Sequence, residues 1–419
     1  MNALTRFLEP GARVFVPTLG AESALLREAL QADPERAAGV TFCGVMFPGI
    51  DRTDWLALHP QARVEAHFMA PALRTGLAEG RVDLLAADYR GVARHFTEGP
   101  APDLAIAHLT PPDADGFCSP GVAADFLPLV WGRAKRRVAH LNPRLPRSRG
   151  SFRVHLSELD DAVEAEAPLN AWTEGSAGET EARIGAHVAN LVREGDLLQF
   201  GIGSVPVALA SSLKHHRRLR FQGGMVPPAL RTLWDGGALD RDADIATGVL
   251  LGDEDFLRFA AALPNLWLTD VRHTHDPAAI AARVEREGSR FVALNGAVEV
   301  DLFGQVNAER AGGVLQAGAG GLPAFAAAAQ ASRGGRLLIC LPSTAKRGAA
   351  SRIVPALDAN AFTTLPRWLA DAVVTEHGVA ELRDRPLDAR AQALIAIADP
   401  AHRPALAEAW ERIGRQLRG

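Results

Sequence analysis

Residues Leu197–Leu213 read LLQFGIGSVPVALASSL. After a basic run the chain continues as Arg220–Val226, RFQGGMV. The first segment predicts a short apolar strand ending at Phe200, a glycine turn over Gly201-Ile202-Gly203, and a helix with Pro206 in its first turn. Glycines between a strand and a helix let backbone amides approach an anion or a carbonyl oxygen at the helix N-terminus. The second segment predicts another strand, Leu219 to Gln222, that breaks at Gly223-Gly224. Two such strand ends, one helix apart, are what a ligand site at the carboxyl edge of a parallel sheet uses. Taken alone, a G-x-G turn is equally compatible with an ordinary strand-to-helix connection.

Outward from this stretch the same rhythm recurs. Strand-like segments are expected at Arg13–Val16, Val40–Val45, Val64–Phe68, Val82–Ala86, Leu104–Leu109 and Arg137–Leu141. Helical spacing is expected over Ala21–Leu30, Ala70–Glu79, Val122–Ala134 and Glu181–Glu194. Strands alternating with helices imply an α/β protein with a largely parallel sheet. The stretch from Gly11 (GARVFVPTLG) parallels that from Gly195 (GDLLQFGIG), each running glycine, strand, glycine turn, helix. PPDADGFCS from Pro111 and EVDLFGQVN from Glu299 likewise each place an acidic residue and a glycine after an apolar strand. Two copies suit two similar domains rather than a solenoid. We therefore expect two tandem open α/β domains, residues 1–170 and 180–419, joined through the polar, Gly-containing stretch Pro168–Gly178.

Composition narrows the function classes. A chain of 419 residues exceeds one ordinary core, and a 47% hydrophobic content is enough to fill two. A net charge of -4 and a pI near 6.4 argue against a nucleic-acid or acidic-membrane partner. Cys43, Cys118 and Cys340 stand far apart, which fits a reducing, cytoplasmic setting and neither a disulfide framework nor a zinc site. No signal-peptide pattern opens the chain, and the apolar run Ala324–Ala331 is too short for a membrane span.

The motifs together resemble the acetyl-CoA hydrolase/transferase family, which includes 4-hydroxybutyrate, succinyl and butyryl CoA-transferases. The likeness rests on TPPDADGFCSPG at Thr110–Gly121, NPRLPR at Asn142–Arg147 and QFGIGSVP at Gln199–Pro206. It continues through Asn295–Glu309, the G-x-G-G run Gly318–Gly321, PSTAKRG at Pro342–Gly348, and Thr375–Arg383. It implies a site for coenzyme A, as an acyl-CoA substrate, between two α/β domains, a small carboxylate or other acceptor, and a homodimer. It further implies a glutamate that attacks the acyl-CoA and becomes a glutamyl-CoA thioester, its oxyanions held by backbone amides. Aligned without gaps from Gly201 to Met225, the position of that glutamate holds Gly224. The family's nucleophile is missing.

Three readings follow from that absence. Water or an acceptor attacks the thioester directly; another carboxylate, Glu299 or Glu309, has taken over; or catalysis is lost and the chain is a CoA-binding or scaffold subunit. Gln222 and Glu299 are the weak catalytic candidates. By resemblance the CoA-binding set is Gly201, Ile202, Gly203, Ser204, Val205, Asn295, Gly318, Gly320, Gly321 and Lys346. Asn295 is expected just before a strand Ala297–Leu302, and Lys346 on a loop ending at Gly348. Arg147 and Arg149 suit either a carboxylate or CoA phosphate, or a surface ion pair. Cys118 reads as a buried structural thiol. His273 and His275 read as strand neighbours on one face, structural or surface rather than metal-binding.

Overall fold

The computed structural model describes residues 3–419, so the first two positions of the expected N-terminal unit lie outside the described residues. A seven-stranded sheet runs, edge to edge, Val82–Leu84, Arg63–Ala66, Thr41–Cys43, Arg13–Phe15, Leu104–Leu109, Arg136–Leu141 and Asp161–Glu164. All its pairings are parallel. An eight-stranded sheet follows in the order Leu266–Leu268, Ile245–Leu250, Arg220–Val226, Leu197–Phe200, Phe291–Gly296, Arg336–Cys340, Ala372–Thr375 and Gly378–Glu381. Only its last pairing is antiparallel. In each sheet the first strand of that half lies inside, and successive strands step outward first on one side and then on the other. That reversal creates a crevice outside the carboxyl ends of the two central strands.

Burial explains why these segments are strands. Leu104–Leu109 and Leu197–Phe200 are buried along their whole length, as strands covered on both faces must be. In the second sheet, Leu198 and Phe200 pack with Ile184, Val188 and Leu209. Leu197 points the other way, into a core with Ile280, Phe291 and Phe325. Two-residue alternation thus feeds two helical layers. At the base of the central pair, Arg290 grips Asp196 through Nε at 3.0 Å and Nη2 at 2.5 Å, joining the residues just before each strand.

The internal repeat is geometric as well as sequential. Asp113 Oδ1 accepts the amides of Asp115 and Phe117, and Asp301 Oδ1 accepts those of Phe303 and Gln305. Three residues after each aspartate stands a glycine with positive φ, Gly116 at 83° and Gly304 at 88°. The connection 168–178 carries no helix or strand until Glu179, and it touches both halves. Asn170 Nδ2 donates to the carbonyls of Leu19 and Ile50, while the Trp172 amide donates to the Gly252 carbonyl.

Several local expectations are corrected. The strand expected to break at Gly223-Gly224 continues through both glycines to Val226, because the parallel neighbour Ile245–Leu250 holds it extended. Within Val122–Ala134 only Leu127–Trp131 is helical. The preceding residues leave the helix to join the other domain: the Ala124 amide donates to Gly248 and the Leu250 amide to Val122. Asn295 lies inside the strand Phe291–Gly296, and the strand expected after it is shorter, Glu299–Asp301. Glu299–Asp301 forms a separate three-stranded sheet with Val306–Asn307 and Ile353–Val354. His273 and His275 are not strand neighbours: Asp270 caps a short helix, Val271–Thr274, that ends at His275.

Candidate active site

The glycine turn opens where the sequence places it. Leu197–Phe200 ends at Phe200, and the helix Ser204–Leu213 begins after Gly203, whose φ of 125° suits glycine. No side chain caps this helix, so its first amides are left for another acceptor. Gly201, Ile202, Gly203, Ser204 and Val205 line one wall of a cavity of about 370 Å³; Asn295, Gly296 and Cys340 from the next strands line another. Asn295 Nδ2 donates to Gln199 Oε1 at 3.0 Å, which fixes the amide at the end of its strand. Phe47 reaches this cavity from the N-terminal half.

Beside it lies a smaller chamber of about 110 Å³ that shares Phe200, Gly201, Met225 and Asn295. Gly224, Gly321, Tyr89, Asp125 and His275 also line it. A methyl group built on Gly224 would stand 2.6 Å from His275 Cε1 and 2.8 Å from Nε2. One built on Gly321 would stand 2.7 Å from the same Nε2. The imidazole therefore occupies the space that side chains at both positions would need. Tyr89 lies against it at 4.5 Å between ring centroids and Phe325 at 4.7 Å. Burial pushes the His275 pKa down to about 3, so the ring is neutral at pH 7.

Asp125 supplies a carboxyl group to the same chamber. Burial, with Asp270 nearby, pushes its pKa up to about 8. Its φ of 36° lies in the left-handed region, where a non-glycine residue is strained. The fold holds it there through the interdomain contact, since the Asp125 amide donates to Gly248 and its carbonyl accepts from Val271.

The remaining candidates scatter. Gly318–Gly321 divides between two cavities: Gly321 lines the chamber, whereas Gly318 lines a separate cavity of about 450 Å³ with His67, Glu309 and Thr364. A methyl on Gly318 would sit 2.2 Å from the His67 carbonyl, so this glycine permits close packing between the halves. The Gly320 carbonyl accepts the Tyr89 amide. Lys346 lies on an exposed turn, Lys346–Gly348, away from the cavity of the Gly201 turn. Neither substitute carboxylate meets Gly224. Glu299 accepts from Asn307 Nδ2 at 2.9 Å, and Glu309 accepts from Thr364 Oγ1 at 2.8 Å. Gln222 is held between the His273 carbonyl and Arg283, a structural bridge outside the chamber.

Arg147 donates to the carbonyls of Pro111 and Phe117, and Arg149 to that of Pro264, so both tie loops together. Cys118 is buried, and burial pushes its thiol pKa up. Sequence reasoning missed Tyr89 and Asp125 and set His275 aside. A signal for His275 was available: Asp270 followed by five residues and Asp276-Pro277 is a helix start succeeding a short capped turn. Among the described residues no helix is long and apolar enough to cross a membrane.

Comparison with known proteins supplies the family. Residues 11–170 match the acetyl-CoA hydrolase/transferase N-terminal domain, and residues 252–410 match the C-terminal domain of the same family. The 4-hydroxybutyrate coenzyme A transferase of Clostridium kluyveri is 33% identical over 84% of this chain and 82% of its own. The succinyl-CoA:cyclohexane-1-carboxylate CoA transferase of Geobacter metallireducens is 30% identical over 85% and 82% respectively. Among solved structures, RipA from Yersinia pestis superposes with a TM-score of 0.87 at 25% identity, covering 98% of this chain and 96% of RipA. The 4-hydroxybutyrate CoA-transferase of Porphyromonas gingivalis gives 0.77 at 28% identity, covering 97% and 94%. With both halves matched in order and the fold shared end to end, the chain belongs to the acetyl-CoA hydrolase/transferase family.

Proposed function

We propose that this chain binds an acyl-coenzyme A thioester at the Gly201–Val205 turn and acts on its acyl group, by transfer or hydrolysis, without a covalent glutamyl-CoA. One observation carries the reading: Gly224, which the resemblance aligns with the family's nucleophile, lines the chamber beside that turn, and His275 fills the space a glutamate there would enter. The uncapped amides at Ser204 and the glycine turn suit a thioester oxygen or its oxyanion. Asn295, fixed by Gln199, suits an amide of the pantetheine arm. The relatives named above are CoA transferases, which supports a CoA thioester with a small carboxylate acceptor as the substrate pair. Residues 1–170 and 180–419 form the two units of this reading; the resemblance adds a homodimer, which light scattering of the purified chain checks, and the cysteine spacing adds a cytoplasmic setting.

A second reading, a CoA-binding subunit without turnover, draws on the same imidazole, since a ring filling the nucleophile's place is also how a lost site closes. Calorimetry with CoA, paired with a thiol-release assay on acetyl-, butyryl- and succinyl-CoA, separates the two. Binding with turnover supports the enzyme. Binding alone supports the subunit, and no binding overturns the site assignment.

A further inference from the structure

Resting on the thioester reading, we propose that His275 is the catalytic base of this chain, drawing a proton from a water that attacks the thioester, so that the reaction is hydrolysis. The ring is held for that role. His275 Nδ1 lies 2.8 Å from Thr274 Oγ1, and that hydroxyl lies 3.5 Å from the Asp270 carbonyl. With the hydroxyl hydrogen directed to Asp270, Thr274 Oγ1 accepts Nδ1–H, and the lone pair is left on Nε2. The opposite tautomer would place N–H on Nε2, for which no described residue offers an acceptor, whereas Nδ1–H has one in Thr274 Oγ1. Nε2 is also the ring atom lying between Gly224 and Gly321, two of the glycines that line the chamber.

The chamber has room for the reaction. Its roughly 110 Å³ exceeds the ~10–15 Å³ that one water needs. It adjoins the cavity assigned to the thioester and shares Gly201 and Asn295 with it. Besides His275, the titratable side chains lining it are Tyr89 and Asp125; the strand carrying Gly224 and the helix carrying Phe325 add none to its lining.

The step balances without a further reagent. Nε2 takes a proton from water as the water oxygen bonds to the carbonyl carbon. The tetrahedral oxyanion then collapses and the C–S bond breaks. The departing CoA sulfur takes the proton back from Nε2, giving a carboxylic acid and the CoA thiol. General-base assistance contributes on the order of 10²–10⁴-fold where the base titrates near the working pH, and the depressed His275 pKa sets its share at the lower end of that range. Thr274 acts through His275, as a positioning residue.

The test uses the full chain with acetyl-CoA and butyryl-CoA, following thiol release and the uptake of ¹⁸O from labelled water into the acid. The expected result is release with one labelled oxygen, a fall of about 10²-fold or more in kcat for His275→Gln with CoA affinity unchanged, and partial rescue of His275→Ala by free imidazole. Thr274→Val lowers kcat and leaves KM. If the histidine variants do not fold, the unmutated chain still decides: the proposal expects slower turnover in D₂O than in H₂O, and equal rates overturn it. Full activity of His275→Gln also overturns it, as does a chain that binds butyryl-CoA without releasing thiol. A chain that binds neither CoA nor butyryl-CoA removes the thioester reading itself, and the base falls with it.

Discussion

His275 Nε2 lies 2.8 Å from where a side chain on Gly224 would begin, so the imidazole and a glutamate at 224 exclude one another. Placing a carboxylate by Gly224→Glu, at the position the resemblance assigns to the family's glutamate, is therefore predicted to fail on its own. The added side chain meets a ring held by Tyr89 and Phe325, and overpacking of this kind costs roughly 1–3 kcal/mol. The double variant Gly224→Glu with His275→Ala removes the obstacle and is expected to gain CoA transfer. Activity assays and melting curves of both variants check this; a stable, active single variant would show that the ring swings aside freely.

Asp125 gives a pH signature. Its folded-state pKa, about 8, lies above the ordinary 3.8. The folded chain keeps this proton while the unfolded chain loses it, so stability declines as pH rises from about 4 through about 8, by up to ~1.4 kcal/mol per unit. Asp125→Asn removes that titration. Its advantage in melting temperature over the unmutated chain should grow between pH 5 and pH 8 and level off above. A difference that stays flat across the series contradicts the burial argument.

The Asp196–Arg290 pair anchors the two central strands of the second sheet, with side chains 4% and 14% exposed. Asp196→Ala leaves the guanidinium without its partner, and breaking a buried pair this way costs about 3–5 kcal/mol. Denaturant unfolding checks the figure. CoA affinity, measured on the fraction that stays folded, should weaken with it, because both strands end at the cavity.

Gly203 sets the start of the amide-bearing helix at φ 125°. Alanine there is strained by about 1–3 kcal/mol, because this backbone region is essentially glycine's alone. Gly203→Ala is expected to weaken CoA binding at least tenfold while the far domain melts unchanged. Calorimetry with CoA reads it; unaltered affinity would place the ligand elsewhere.

What the sequence made legible was local. The strand ending at Phe200, the glycine turn and the helix after it all depend on residues within one turn of each other, and they stand where expected. The paired Asp-x-x-Gly turns at Asp113 and Asp301 were visible for the same reason. The misreadings arise from distant partners. Gly223-Gly224 reads as a break because glycine permits one, yet the ladder to Thr247 and Val249 keeps the strand extended. Asp125 sits in an apolar run that looks helical, and its contacts with Gly248 and Val271 in the other half hold it out of the helix. His275 was read by alternation, whereas the Asp270 cap sets its direction.

The proposed chemistry handles acyl-CoA without an enzyme-bound glutamyl thioester. Intact mass of the chain after incubation with butyryl-CoA, with and without borohydride, tests it most directly. The predicted result is an unmodified mass in both samples while CoA thiol accumulates; a CoA adduct that borohydride removes and that maps to a glutamate would contradict it.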